Sequence, residues 1–317
     1  MKTIISDKTS PARRFPTRET SAGIKKIFRR VCMDSATWLI MLPALLFLFL
    51  LVWRPMFLGL GLSFFKLKGY VVEAFVGFDN YINVVKDPLF IKTLGNTFLY
   101  AIYSLIIGYP LPIITAVMLN EIGRGQNTIK TMLYLPTILP GMALLMIWSR
   151  IYRPDMTGLL NQVLAFFNLP PQGWLQNSAW TIPLIIITKT WQGWGSTTLL
   201  YLAGLRGIDQ QLYEAARIDG AGAFKRIFSI TIPQIAPLMS LLLIQQFTGI
   251  FQIMMEPFAM TGGGPNNASL SIGLTSYFYA FQLFKTENAL ALGSITFVIL
   301  LTLTMFYLWV EKKINAD

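Results

Sequence analysis

The sequence predicts an all-α membrane protein with six transmembrane helices. Of its 317 residues, 54% are hydrophobic and only 13% are charged, which is too little polar surface for a soluble domain of this size. Several apolar runs approach the roughly 20 residues that cross a bilayer. We therefore expect the net charge of +11 to reflect basic cytoplasmic loops and not a nucleic-acid partner.

The composition also limits the chemistry. Histidine is absent, and Cys32 is the single cysteine. The missing histidine excludes a histidine base and a histidine-ligated metal, and one cysteine excludes an internal disulfide or a Cys-rich metal site. We predict no catalytic residues, and no metal or cofactor bound by this chain.

Residues 1–37 are predicted to be a basic cytoplasmic segment. They lack the apolar core and small-residue cleavage site of a secretory signal peptide. The stretch SAGIKKIFRRVCM is either a short amphipathic helix on the inner membrane surface or a plain basic segment.

The apolar runs define the six spans. They cover residues 38–62, 94–119, 132–148, 182–202, 238–255 and 290–309. The third span contains Pro136 and Pro140, and the fourth contains Gly193 and Gly195. Membrane helices tolerate such residues where neighbouring groups satisfy the freed backbone.

The distribution of lysine and arginine predicts the orientation. With the N-terminus inside, 17 of the 26 basic residues fall on the inner side, eight fall outside, and Lys189 lies within a span. Both termini are therefore predicted to be cytoplasmic, with a membrane domain over residues 38–311 and a short tail over 312–317. Residues 206–233 become the longest internal cytoplasmic loop.

This loop is predicted to contain two short helices at an angle. Asp209 is a plausible N-cap, Gly220 and Gly222 end the first helix, and Pro233 begins the next span. One side of the first helix is small and apolar, formed by Leu212, Ala215, Ala216 and Ile218. Either another protein approaches this side closely, or the loop is an ordinary amphipathic segment folded against its own bundle.

The stretch EAARIDGAGAFKRIFSITIP resembles the EAA signature of permease subunits in bacterial ABC importers. The matching residues are Glu214, Ala215, Ala216, Gly220, Ile230 and Pro233. Ile232 stands where leucine is usual. The stretches LYLPTILPGMALLMIW and AMTGGGPNNAS resemble the carbohydrate branch, the maltose and glycerol-3-phosphate importer type. The chain lacks a Gly-rich tail and so resembles the first of the two permease kinds.

The resemblance implies a type I permease fold in the bacterial cytoplasmic membrane. A coupling helix between helices 4 and 5 would dock on an ATPase through Glu214, Ala215, Ala216, Asp219 and Gly220. The implied partners are a second permease, two ATPases that carry ATP and Mg, and an extracellular or periplasmic solute-binding protein. The implied substrate is a sugar, with an oligosaccharide favoured.

Polar residues in the fourth and fifth spans suggest a substrate path, because such side chains are costly in a bilayer unless they face a cavity or another helix. The candidates are Lys189, Gln192, Gly193, Ser196, Gln245, Gln246, Gly249 and Gln252. By similarity to the maltose permease, Gln192, Gly193, Ser196, Gln246 and Gly249 fall at sugar-contacting positions, although only Gly193 is the same residue. Hydrogen bonding between helices is the alternative.

Lys189 leaves three interpretations open. Its ammonium faces an anionic substrate such as a uronate or phosphorylated sugar, pairs with Glu256, or extends to the outer surface. Outside the resemblance, the sequence also fits a self-contained secondary transporter or a membrane scaffold.

Overall fold

The computed structural model describes residues 37–69, 71–122 and 125–314. Residues 1–36 of the predicted basic segment, with Cys32, and the last three residues of the predicted tail lie outside the described residues. Their expected cytoplasmic position therefore stays a prediction.

The described residues form twelve helices and one short hairpin. The helices are α1 (Thr37–Leu62), α2 (Asp79–Lys86), α3 (Pro88–Glu121), α4 (Gln126–Ile138), α5 (Gly141–Ile151), α6 (Leu159–Phe166), α7 (Ser178–Leu205), α8 (Gln210–Ile218), α9 (Ala223–Phe251), α10 (Met255–Thr261), α11 (Ile272–Tyr277) and α12 (Thr286–Ile314). Strands β1 (Phe65–Lys68) and β2 (Val71–Phe75) pair antiparallel.

The chain divides into two compact units, Met1–Leu58 and Gly59–Asp317. In the first, the described residues belong to α1, which is apolar over nearly its whole length and contains a stacked pair, Trp53 and Phe57. In the second, helices α3, α5, α7 and α9 pack around a buried core that includes Tyr100, Ile185 and Phe251.

The predicted membrane class is confirmed, and the count of six spans is confirmed in part. Among the described residues, four helices are long and apolar enough to cross a membrane: α1, α3, α9 and α12. The pair α4 and α5 supplies a fifth if its two halves form one span. Helix α7, with 28 residues, is about 42 Å long but is less apolar, because it carries Lys189, Gln192 and several threonines.

The third span, predicted over 132–148, is divided into two helices, α4 and α5. Helices α4 and α5 meet at an angle of 97°. Leu139 adopts an extended conformation, with φ −68° and ψ 142°. The cause is Pro140, because proline disfavours the helical conformation in the residue before it.

The fourth span tolerates its two glycines, as predicted. Helix α7 continues through both Gly193 and Gly195. A Cβ atom on Gly195 would lie 1.9 Å from the carbonyl oxygen of Leu133. Gly195 therefore serves a close approach of α7 to α4, as small residues commonly do in membrane bundles.

A row of polar side chains on α3 fixes the loop after α10. The amide of Asn96 donates to the carbonyl oxygens of Asn267 and Leu270 at 2.8 and 3.0 Å. The hydroxyl of Tyr100 donates to the carbonyl of Ser269 at 3.0 Å. The TGGGPNNAS stretch is thus held against α3, and these bonds fix its position relative to α10.

Candidate functional site

A polar cavity of about 310 Å³ lies among α3, α4, α7 and α9. Its lining residues are Ser104, Gly108, Pro112, Thr137, Ile186, Lys189, Thr190, Gln192, Gly193, Trp194, Thr197, Gln246 and Ile250. Hydroxyl, amide and indole groups dominate this lining. Such groups form hydrogen bonds with a polar guest and offer it one aromatic surface.

Gly108 brings α3 close to the other two walls of the cavity. It ends a widened helical turn, Ser104–Gly108. A Cβ atom at this position would lie 2.8 Å from Nε2 of Gln246 and 3.0 Å from Oγ1 of Thr190. Because glycine has no side chain, Gln246 reaches across and donates to Oγ of Ser104.

Hydrogen bonds between helices hold the remaining walls. Oγ1 of Thr137 on α4 donates to the carbonyl of Gln192 on α7 at 3.0 Å. Nε1 of Trp194 donates to Oγ1 of Thr115 on α3 at 2.9 Å. These two bonds therefore fix the backbone at Gln192 and the ring of Trp194. They do not use the amide group of the Gln192 side chain.

Lys189 is paired with Glu256. Its Nζ lies 2.5 Å from Oε1 of Glu256, the second residue of α10. The Lys189 side chain is 34% exposed and borders the cavity, whereas the Glu256 side chain is 10% exposed. Of the three sequence interpretations, this geometry matches the ion pair.

The structure brings four of the eight predicted path residues together in this cavity: Lys189, Gln192, Gly193 and Gln246. The other four do not line it. Ser196 donates to the carbonyl of Gly193 within its own helix, and Gln245, Gly249 and Gln252 are exposed in this chain. Their role in a substrate path stays a prediction.

Four further polar residues line the cavity and were not predicted from the sequence: Ser104, Thr137, Thr190 and Thr197. Helical spacing contained part of this signal, since Thr190 and Thr197 lie three and four residues from Gly193 and share its face. Ser104 and Thr137 lie on other helices. Their place in the lining depends on packing that the sequence does not reveal.

Helix α8 forms the centre of the loop that resembles the EAA signature. The side chain of Asp209 accepts a hydrogen bond from the backbone N–H of Gln211 at 2.9 Å, which confirms the predicted N-cap. At the other end, the N–H of Ala221 donates to the carbonyl of Ala216 at 2.8 Å, and Gly220 has φ +72°. This is a Schellman motif, in which glycine adopts the left-handed conformation at no steric cost.

The second predicted loop helix is not separate. Residues from Ala223 onward continue without a break into the span that ends at Phe251, so Pro233 does not begin the span. A widened turn at Ile227–Thr231 precedes Pro233. Such a turn accommodates the missing N–H and the bulky ring of proline inside a continuous helix.

The loop presents an exposed apolar surface. Ile218 is 87% exposed and Phe224 is 80% exposed, with Phe228 and Leu212 also exposed. Among the predicted coupling residues, Glu214, Ala215, Asp219 and Gly220 are exposed, and Ala216 is half-buried. Within the described part of the chain, the Glu214 carboxylate forms no ion pair or side-chain hydrogen bond.

Comparisons with known proteins identify the family. The model of the binding-protein-dependent transport system inner membrane component matches residues 108–316. The chain is 32% identical to the probable ABC transporter permease protein YurN of Bacillus subtilis, over 84% of this chain and 93% of that protein. It is 30% identical to the lactose transport system permease protein LacF of Rhizobium radiobacter, over 88% of this chain and 96% of that protein.

A solved structure gives the same result. The fold is similar, with a TM-score of 0.79 and 25% identity, to a chain of a bacterial ABC transporter involved in the import of the acidic polysaccharide alginate. The alignment covers 91% of this chain and 99% of that chain. The predicted resemblance to carbohydrate-type permeases is confirmed, and neither a secondary transporter nor a scaffold is favoured. The chain belongs to the family of binding-protein-dependent transport system inner membrane components, the permeases of ABC importers.

Proposed function

We propose that this chain is a permease subunit of an ATP-driven importer of sugars, with oligosaccharides favoured, and that it forms half of the translocation path. The observation that carries the proposal is the polar cavity inside an otherwise apolar helical bundle. Relatives named for lactose, arabinooligosaccharides, and trehalose or maltose support a saccharide substrate.

The chemistry of the cavity supports the same substrate class. A sugar offers many hydroxyl groups, each of which both donates and accepts hydrogen bonds. Gln192, Gln246 and Thr197 supply matching groups, and Trp194 adds an aromatic ring beside them. Ser196, Gln245, Gly249 and Gln252 are proposed to join the path where the second permease completes it.

The loop helix α8 is proposed to couple this path to an ATPase. Exposed Ile218 and Phe224 offer apolar surface to a partner, and the unpaired Glu214 carboxylate offers a charge to a basic or polar group. The Schellman motif at Gly220 fixes the angle at which α8 leaves the membrane helices. Movement of docked α8 would then bias the bundle between inward-facing and outward-facing states.

The remaining partners follow from the family. They are a second permease, two ATPases that bind ATP and Mg and hydrolyse the ATP, and an extracellular or periplasmic solute-binding protein. The 17 inner basic residues favour an orientation with both termini and the 206–233 loop in the cytoplasm.

Reconstitution of the complete importer in vesicles tests this function. We expect at least one saccharide, delivered by the binding protein, to stimulate ATP hydrolysis and to accumulate in the vesicles only when ATP is present. Gly293→Ala, on α12 with open space around its Cβ position, serves as a control that should behave as the unaltered protein. Saccharide uptake without ATP, or no response to any saccharide, would contradict the proposal.

A further inference from the structure

Among the described residues, Lys189 is the one charged side chain in the lining of the cavity. The other lining residues carry hydroxyl, amide, indole or apolar groups. An unpaired ammonium at this position would attract anions strongly, because a charge in a poorly solvated site interacts over a longer range than in water. The charge state of the cavity therefore depends on what Lys189 contacts.

The single negative charge of Glu256 balances the single positive charge of Lys189. The two groups are 2.5 Å apart, and neither forms an ion pair with any other residue in the described part of the chain. Glu256 is buried and does not line the cavity. Its carboxylate therefore neutralises Lys189 from outside the cavity lining, and the part of the lysine that borders the cavity stays accessible.

An anionic sugar at Lys189 would meet two obstacles. If it displaced Glu256, it would leave a buried carboxylate without a partner, which is strongly unfavourable. If it shared the lysine, it would place two carboxylates around one ammonium, and like charges at this distance disfavour each other. A neutral hydroxyl avoids both obstacles, because the ammonium has three N–H donors and the ion pair need not break.

Resting on the sugar importer function proposed above, we infer that this chain's half of the path is built for neutral saccharides. Glu256 acts as a positioning residue for specificity, since it cancels the charge of Lys189 without touching the substrate. This assignment differs from the acidic polysaccharide that the structurally similar alginate transporter imports.

The test measures uptake by the complete importer with matched saccharides. Neutral tri- and tetrasaccharides are compared with uronate-containing saccharides of the same length. We expect the best neutral saccharide to exceed the best uronate by more than about tenfold, because the uronate must either displace Glu256 from Lys189 or place a second carboxylate beside it. A uronate that is taken up as well as, or better than, every neutral saccharide would overturn the inference and leave the sugar importer function intact.

A single variant tests the pair itself. Glu256→Gln removes the buried carboxylate and leaves the Lys189 ammonium uncancelled beside the cavity, so uptake of the best uronate relative to the best neutral saccharide should rise by more than about tenfold. Glu73→Gln, on the exposed strand β2, is the matched control for loss of a negative charge. An unchanged ratio in an assembled complex would overturn the inference.

Failure of the variant to assemble and failure of every saccharide to act have different meanings. If Glu256→Gln does not assemble, the saccharide comparison on the unaltered importer decides the question alone. If no saccharide of either charge stimulates ATP hydrolysis, the sugar importer function itself fails, and the preference for neutral saccharides fails with it.

Discussion

The contact between α4 and α7 at Gly195 offers a sharp test of the packing. A Cβ atom at this position would lie 1.9 Å from the carbonyl oxygen of Leu133, 2.3 Å from its carbonyl carbon and 2.8 Å from the backbone nitrogen of Tyr134. All three are backbone atoms, so rotation of a side chain cannot relieve the clash. We therefore expect Gly195→Ala, the smallest possible substitution, to force the two helices apart.

The size of the effect follows from these distances. Ordinary van der Waals contact begins at 3.4 Å, so the helices must separate by about 1.5 Å at this point. Overpacking of a dense interior costs about 1–3 kcal/mol, and a clash with backbone favours the upper end. The shift also lengthens the hydrogen bond from Thr137 to the carbonyl of Gln192, now 3.0 Å. We expect a total loss of about 3 kcal/mol, which corresponds to a fall in Tm of roughly 5–10 °C.

The assay is thermal unfolding of the purified protein in detergent, followed by size-exclusion chromatography after heating. Gly193→Ala is the matched control, because it lies two residues away on the same helix and a Cβ atom there meets no atom within 4 Å. Its Tm should equal or slightly exceed that of the unaltered protein, since alanine favours a helix over glycine by about 1 kcal/mol. Equal Tm values for the two variants would refute the close approach of α7 to α4.

Three further predictions concern the loops and the ion pair. Gly220→Leu strains the Schellman motif at φ +72° by about 1–2 kcal/mol. Retention of the ATPase on an affinity column should fall while the protein still inserts into the membrane. Normal retention would argue against coupling through this loop. Asn161→Ala removes a buried amide that accepts a hydrogen bond from Nε1 of Trp174 at 2.9 Å and donates to three carbonyls. We expect the free energy of unfolding to fall by about 2–3 kcal/mol. An unchanged Tm would contradict this expectation. Lys189→Met leaves the Glu256 carboxylate without a partner and should lower the free energy of unfolding by about 2 kcal/mol, below the value for fully buried pairs because the lysine is partly exposed. Adding Glu256→Gln should recover part of this loss. A double variant less stable than Lys189→Met would refute the pairing.

Helix-capping patterns in the sequence predicted both ends of the loop helix α8. Asp209 begins it and Gly220 ends it, as expected, because an N-cap and a left-handed glycine act through hydrogen bonds to neighbouring residues in the chain. The break before the next helix was also located correctly. The continuation of residues from Ala223 into the span was not predicted, because Pro233 resembles a helix start unless a widened turn absorbs it.

The substrate path was only half predicted. Polarity within an apolar span indicated Lys189, Gln192 and Gln246, because each carries a cost that something must offset. Polarity does not give the direction in which a side chain points. Ser196 bonds within its own helix, and Gln252 is exposed and does not line the cavity.

The sequence by itself determined the membrane class, the loop helix and the family, because hydropathy, caps and signature residues are properties of short segments. Only the tertiary structure decided the angle between α4 and α5, the contact of Gly195 with Leu133 and the choice of Glu256 as the partner of Lys189. Those features join residues that are distant in the chain. The physical reason is that close packing and charge pairing depend on distances in space, which the helices fix only when they assemble.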